Sequence, residues 1–259
     1  MSDGRVSFTI DGEIAEILLD RPAKLNALTM AMLDQLEQAV RALDGMKDVR
    51  AVVLASAGER AFCVGADITA WAACEPLDMW RSWTKRGHQV FDQLAALRQP
   101  VVAAIQGPAL GGGLELVLAA DLRVAEAQTV FGLPETGIAA CPGWSGSQRL
   151  NRLINPSVIK EMALAGRQLD AARALALGLV NQVCAKGECR ATAWALAREI
   201  AARAPISVQI AKQLIDAGAG ERVPAVLEGL AGGLAATTED AREGVASFKE
   251  RRPPVYRGR

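Results

Sequence analysis

Hydrophobic and polar positions along the chain predict strands and helices in alternation. Val6, Phe8 and Ile10 alternate with polar residues, and a second apolar segment follows the Asp11-Gly12 turn, which predicts a hairpin. Further strands are predicted at 51–56, 101–105 and 122–125, and helices at 30–43 and 77–97. This alternation predicts an α/β fold with crossover connections.

After about residue 190 the pattern is helical only. Apolar residues recur at helical spacing in four segments, which are 190–203, 206–217, 222–236 and 239–251. We therefore expect residues 1–190 to form an α/β core and residues 191–259 to form a helical C-terminal region. Ala and Leu occupy several faces of these helices, so the helices bury their apolar surface more easily against another subunit than within one chain. This pattern favours a homo-oligomer.

The charge balance argues against a nucleic-acid partner. The 259 residues include 29 Lys and Arg and 29 Asp and Glu, so the formal net charge is zero. A protein that follows a phosphate backbone normally carries a clustered basic excess. The longest apolar segment, near 114–120, ends at Asp121 and is too short to span a bilayer. We therefore expect neither nucleic acid nor a membrane as a partner.

A single histidine, His88, restricts the possible catalytic classes. Metal sites built from two or three histidines of one chain are excluded, and a Ser-His-Asp triad could use only His88. His88 lies in the middle of a predicted helix, so we interpret it as a surface or interface residue without a catalytic role. The five cysteines are odd in number and form no CxxC motif, and the first residues show no signal-peptide pattern. We therefore expect free thiols and a cytoplasmic location.

A glycine-rich turn at 107–113 is the first candidate for chemistry. It follows a predicted strand and opens a helix with Gly111, Gly112 and Gly113. The first N–H groups of a helix have no partner within the helix, so they can bind an oxygen that becomes negative during a reaction. The alternative is a tight turn that needs glycine only for packing.

Two glutamates lie in apolar surroundings near this turn. Glu115 follows Gly112 by three residues and therefore lies on the same face of the helix. Glu135 lies in FGLPETGI, and the intervening chain is long enough to return it beside Glu115. Two carboxylates in a dry cleft repel each other, which separates their pKa values into one acid and one base. The alternative for Glu115 is a first-turn residue that points to solvent and interacts with the helix dipole.

The whole chain resembles the crotonase superfamily and, within it, the enoyl-CoA hydratases. The matching segments are RPAKLNAL (21–28), AFCVGADI (61–68), QGPALGGGLELVLAADLRVA (106–125), FGLPETGI (131–138), PGWSGSQRL (142–150) and EGVASFKERRPPVY (243–256). The resemblance implies a crotonase-like spiral of ββα units, followed by a helical C-terminal region that forms trimers and closes the pocket.

The resemblance also implies a reaction and the residues that perform it. Enoyl-CoA hydratases reversibly add water to a 2-enoyl-CoA and give a 3-hydroxyacyl-CoA. The backbone N–H groups of Ala66 and Gly112 match the oxyanion hole that holds the thioester oxygen. Glu115 and Glu135 match the two catalytic glutamates, and Gly143 matches a position that helps to hold the water.

The same resemblance implies how the substrate binds. The positions that match contacts to CoA are Lys24, Ala66, Asp67, Ile68, Phe248 and Arg251. For Lys24 and Arg251 the alternative is a solvated surface charge. The resemblance implies no cofactor and no metal, because the CoA thioester itself acidifies the neighbouring carbon. It also implies a homo-oligomer, either a trimer or a hexamer.

Tryptophans distinguish this chain from many hydratases. Trp144 follows Gly143 where small residues are more common, and Trp71, Trp80 and Trp83 fall in a segment that varies with the acyl group. These four side chains therefore predict an acyl pocket, with helix packing as the alternative.

Three other functions stay open from the sequence. The first is a Δ3,Δ2-enoyl-CoA isomerase, or a dehydratase of a specialised acyl-CoA, within the same superfamily. The second is a crotonase-like RNA-binding or scaffold protein, which the neutral charge disfavours. The third is a Ser-His-Asp hydrolase, which needs His88 beside an activated serine.

Overall fold

The computed structural model describes residues 4–217, 229 and 232–259, and its largest element is a six-stranded sheet. The strands are β1 (Arg5–Asp11), β2 (Ile14–Asp20), β3 (Ala51–Ser56), β4 (Val101–Ile105), β5 (Ala109–Leu110), β6 (Leu122–Glu126), β7 (Val130–Gly132), β8 (Leu169–Asp170) and β9 (Gln182–Cys184). The large sheet has the order β1-β2-β3-β4-β6-β9, and β5, β7 and β8 form a second, small sheet.

The predicted hairpin and crossovers are confirmed. Strands β1 and β2 pair antiparallel, and Asp11 faces Ile14 across the turn. Every later pair in the large sheet is parallel, so helices connect its strands. The α/β prediction is therefore correct. The strands that the sequence did not reveal, such as β5 and β8, have two or three residues, too few to show a period.

The helices are α1 (Met30–Asp44), α2 (Ile68–Ala72), α3 (Pro76–Asp78), α4 (Lys85–Ala95), α5 (Gly112–Val117), α6 (Gly146–Leu150), α7 (Pro156–Ala165), α8 (Ala171–Ala176), α9 (Cys189–Ala201), α10 (Pro205–Asp216) and α11 (Glu239–Glu250). The helix predicted at 77–97 is confirmed in its extent, because the chain is helical from Pro76 to Ala95, but it contains a π-helical segment, Met79–Thr84, between α3 and α4. Most of the predicted helix 222–236 lies outside the described residues. No described helix is long and apolar enough to cross a membrane.

The large sheet is covered on both faces. Val52 and Leu54 of β3 face the main core with α1 and α4, whereas Ala51, Val53 and Ala55 face α9. Successive strand residues point to opposite faces, so a continuous apolar run is what a sheet buried on both sides requires. The first helix of the C-terminal region thus packs directly on the sheet, and the division of the chain at residue 190 stays a prediction.

Loops at the carboxyl ends of β3 and β4 carry the glycine-rich segments. After β3 the chain runs to Ala66, which forms a parallel bridge with Leu28. After β4 it turns through Gly107 and β5 to the first residue of α5. Because the carboxyl ends of neighbouring parallel strands lie at the same edge of a sheet, the two glycine-rich segments meet there.

Candidate active site

A cavity of about 480 Å³ lies at this edge of the sheet. Its walls include backbone of Gly65, Ala66 and Gly112 and the side chains of Glu115 and Glu135. The structure therefore brings together both predicted oxyanion residues and both predicted glutamates, although Ala66 and Glu135 lie 69 positions apart in the sequence.

Two backbone N–H groups meet in this cavity. Leu28 N–H donates to Gly65 O and Asp67 N–H donates to Leu28 O, both at 2.8 Å. The neighbours of Ala66, Gly65 and Asp67, therefore form both bonds to Leu28. Because backbone groups of successive strand residues point to opposite sides, the Ala66 N–H points away from Leu28. A Cβ built on Gly112 would lie 3.5 Å from Ala66 N, which places the two amides side by side. Neither N–H donates to another group of the described residues, as an oxyanion hole requires.

Close backbone approach explains the glycines of this segment. A Cβ on Gly113 would lie 2.1 Å from Cys63 O, and Gly65 has a φ of +102° that other residues rarely adopt. Any larger residue at position 113 would separate the two loops and move the Gly112 amide. The glycines therefore have two roles: they form the turn, and they allow the two loops to come into contact.

Glu115 lies in the first turn of α5 and is only 2% exposed. Its Oε1 atom accepts hydrogen bonds from Trp144 N and Gly146 N, both at 2.8 Å. Burial is the largest influence and raises the pKa of Glu115 above its ordinary value, although the amides of Gly146, Trp144 and Gly143 and the nearby His88 charge act in the opposite direction. The alternative, in which Glu115 points to solvent, is wrong, because its side chain is buried and held by this loop.

Glu135 opens a short 3-10 helix, Glu135–Ile138, directly after Pro134. A Cβ on Gly111 would lie 3.1 Å from Glu135 Oε1, so the carboxylate reaches back to the glycine-rich turn. Its Oε2 atom is buried and has no hydrogen-bond partner among the described residues. Burial first, and then the charge of Glu115, raise the pKa of Glu135 to about 7. Near neutral pH this group can therefore release a proton.

Trp144 closes one side of the cavity. Its ring lies 6.1 Å from the Trp83 ring in a stacked arrangement and 5.4 Å from Phe91 edge-on. A Cβ on Gly87 would lie 2.0 Å from Trp144 Nε1, and one on Gly112 would lie 2.6 Å from Cζ3. The indole is thus both a packing anchor and a wall beside Gly112.

Trp71 and Trp83 line the same cavity as Trp144. Trp83 is buried, and Trp71 is partly buried against the main core. The structure therefore brings three of the four predicted pocket tryptophans together. The side chain of Trp80 lies outside the described residues.

His88 contradicts the surface interpretation. It is half-buried, lines the cavity, and its Nδ1 lies 2.5 Å from Ser145 Oγ. The sequence does not indicate this pair, because 57 residues separate its members. Its one sequence signal is that Ser145 lies between Gly143 and Gly146 in the PGWSGSQRL segment.

Similar proteins decide the family. The family model described as Enoyl-CoA hydratase/isomerase matches residues 9–259. The chain is 38% identical over 250 residues to a probable mitochondrial enoyl-CoA hydratase 2 of Arabidopsis thaliana, covering 96% of this chain and 83% of the relative. It is 35% identical to a short-chain-enoyl-CoA hydratase of Clostridium acetobutylicum, covering 93% of each. A crystal structure of enoyl-CoA hydratase from Bacillus anthracis superposes with a TM-score of 0.94 at 35% identity over 100% of both chains.

The chain belongs to the enoyl-CoA hydratase/isomerase family. Its fold is the crotonase fold, in agreement with the resemblance of its motifs, and an acyl-CoA substrate is consistent with the family. Among the described residues, no group of three or more His, Cys, Asp and Glu side chains could hold a metal ion.

The residues expected to contact CoA are dispersed in the single chain. Ile68 is 61% exposed and lines the cavity, whereas Asp67 caps α2 and forms an ion pair with Arg21 at 2.6 Å. Phe248, 86% exposed, and Arg251 belong to α11 and its cap and do not line this cavity. Lys24 is exposed. Contacts of these residues with CoA stay predictions of the family resemblance.

Proposed function

We propose that this family member is an enoyl-CoA hydratase, which adds water reversibly to a 2-enoyl-CoA. The observation that carries the proposal is the presence of two carboxyl groups, the buried Glu115 and the half-buried Glu135, in one cavity with two available N–H groups. Water addition transfers one proton from the water and delivers another to carbon, so two acid-base groups suit it.

The chemistry assigns a role to each group. The thioester oxygen accepts hydrogen bonds from Ala66 N–H and Gly112 N–H, which stabilise the charge that develops on it. Glu115 accepts a proton from water, and the resulting hydroxide bonds to Cβ. The electron pair of the double bond moves to the thioester as an enolate. Glu135 then donates its proton to Cα, and exchange with solvent returns both carboxyl groups to their starting states.

Hydrogen bonding supports this assignment of base and acid. Glu115 Oε1 accepts from two amides, which stabilise the ionised form and leave Oε2 for the water. Glu135 Oε2 has no donor in the described residues, and the pKa of Glu135 is raised to about 7. Two ionised carboxylates in one cavity repel each other, so the state with one protonated and one ionised group has the lower free energy. Glu115 is therefore the base, and Glu135 is the acid.

A direct assay tests the proposal. Loss of the enoyl absorbance of crotonyl-CoA measures hydration, and we expect turnover by the unchanged protein. Glu115→Gln and Glu135→Gln should each lower kcat by about 10²–10⁴-fold with little change in CoA binding, since general acid-base catalysis is worth about this much. Glu59→Gln, at an exposed loop position, is the matched control. Conversion of a 3-enoyl-CoA without hydration of any 2-enoyl-CoA would instead favour the isomerase.

We also propose that the protein is a homo-oligomer, a trimer or a hexamer, as the family resemblance implies. Exposed apolar side chains on the C-terminal helices support this proposal, because Ile215 is 78% and Phe248 is 86% exposed in the single chain. Light scattering on a sizing column should give three or six times the mass of 27.3 kDa. A monomer at micromolar concentration would contradict the proposal.

A further inference from the structure

One face of helix α4 contacts the loop that binds Glu115. Gly87 leaves room for the Trp144 indole, and Phe91 touches the edge of the same ring. His88 contacts Ser145, which lies between the two residues whose amides donate to Glu115 Oε1. The helix therefore contacts the loop at the point where the loop holds the carboxylate.

Ser145 occupies an unfavourable backbone conformation. Its φ of +71° and ψ of 14° lie in the left-handed region, which costs free energy for a residue with a Cβ. This conformation turns the N–H groups of Trp144 and Gly146 toward the same oxygen atom. The bond between His88 Nδ1 and Ser145 Oγ, at 2.5 Å, is the polar contact that the serine side chain makes among the described residues.

A second polar contact joins α4 to the same loop. Arg149 Nη2 donates to Asp92 Oδ1 at 2.5 Å, and Arg149 Nη1 donates to the carbonyl of Trp144 at 3.2 Å. His88 and Asp92 are four residues apart and therefore lie on one face of α4. Asp92 is largely exposed, so water weakens its ion pair, whereas the His88 contact faces the cavity.

We propose that His88 is a positioning residue for Glu115: by holding Ser145 in its left-handed conformation, it keeps two amides directed at Glu115 Oε1. The inference rests on the proposed function only in taking Glu115 as the base. His88 is not assigned a contact with substrate. A base displaced by about 1 Å can lose about 10²-fold in rate, so the contact should affect kcat more than KM.

The charge of His88 gives a second readout. The titratable and charged groups near it are Glu115 on α5, Glu135 in the lining of the same cavity, and the paired Asp92 and Arg149. Protonated His88 favours the ionised form of Glu115 and lowers its pKa, whereas His88 is not among the groups that shift the pKa of Glu135. Removing the imidazole should therefore move the acid limb of the kcat profile to higher pH.

Four variants test the proposal. His88→Leu removes both the hydrogen bond and the charge, and we expect kcat to fall about 10–100-fold while KM changes less than about threefold. His88→Asn can keep a hydrogen bond to Ser145 without a charge, so it should recover most of kcat but retain the shifted acid limb. Ser145→Ala keeps the Cβ strain without the hydroxyl and should resemble His88→Leu. Gln89→Ala, at the exposed neighbouring position, is the control.

A crystal structure of His88→Leu provides a readout that does not depend on the reaction. The bonds from Trp144 N and Gly146 N to Glu115 Oε1 should both be present in the unchanged protein, and at least one should be broken in the variant. Unchanged bonds, unchanged kcat, or a rise in KM alone would overturn the proposal. If the unchanged protein hydrates no enoyl-CoA but the bonds still break in the variant, the hydratase assignment fails and the positioning role stands. Should His88→Leu fail to fold, Ser145→Ala carries the same test.

Discussion

Replacing Glu135 by Gln should stabilise the protein at alkaline pH, although the same change lowers kcat for hydration by about 10²–10⁴-fold. Glutamine has nearly the shape of glutamate but cannot ionise. In the folded protein, burial and the charge of Glu115 hold the pKa of Glu135 at about 7, against an ordinary value of 4.5. The folded state therefore binds a proton more tightly than the unfolded chain, and ionisation of Glu135 at higher pH opposes folding.

The size of this effect follows from the pKa difference. One pKa unit corresponds to about 1.4 kcal/mol, so the full shift would amount to about 3 kcal/mol. The carboxyl group is only partly buried, and solvent screening reduces the expected value to about 1–2 kcal/mol. Below pH 4.5 the group is protonated in both states and the advantage of glutamine vanishes; it grows through the interval up to pH 7 and is complete above it.

Thermal unfolding followed by circular dichroism measures this difference. For a domain of this size we expect Glu135→Gln to raise Tm by about 3–6 °C at pH 8 and by less than about 1 °C at pH 4.5. Glu59→Gln, an exposed control, should change Tm by less than about 1 °C at either pH. A variant no more stable than the unchanged protein at pH 8, or equally stabilised at both pH values, would refute the reasoning.

Two further predictions concern proton transfer and backbone packing. Because Glu135 must be protonated to donate to Cα, kcat for hydration should fall as the pH rises through about 7. Measuring kcat at a series of pH values tests this prediction. Gly113→Ala should destabilise the protein by about 3 kcal/mol or more in urea unfolding, since its Cβ would lie 2.1 Å from Cys63 O. A Cβ on Gly137 would have no atom within 4 Å, so Gly137→Ala should change stability by less than about 0.5 kcal/mol. Equal losses of stability in the two variants would contradict the packing argument.

The larger elements of the fold could be predicted because their periods are long enough to recognise. Strands such as β3 are continuous apolar runs, and the Thr29 side chain caps α1 by accepting from Met32 N. The π-helical segment Met79–Thr84 could not be predicted, since its side-chain spacing differs little from that of an α-helix. The two-residue strands of the small sheet are fixed by tertiary contacts alone.

The site was predictable only as far as residue types allow. Glu115 and Glu135 are carboxylates in apolar segments, and the glycines mark where backbone approaches backbone. What the sequence did not reveal is how distant segments meet. His88 lies on a helix with ordinary amphipathic spacing, and its contact with Ser145 depends on the left-handed turn that brings the serine back to α4.

Hydration of crotonyl-CoA in water enriched in heavy oxygen tests the central claim most directly. Mass spectrometry of the product formed by the unchanged protein should show one heavy oxygen atom on a 3-hydroxyacyl-CoA. The rate of formation of this labelled product should fall by about 10²-fold or more in Glu115→Gln and Glu135→Gln. A product without heavy oxygen, or near-normal rates in either variant, would contradict the account in which two carboxyl groups add one water while two backbone amides hold the thioester oxygen.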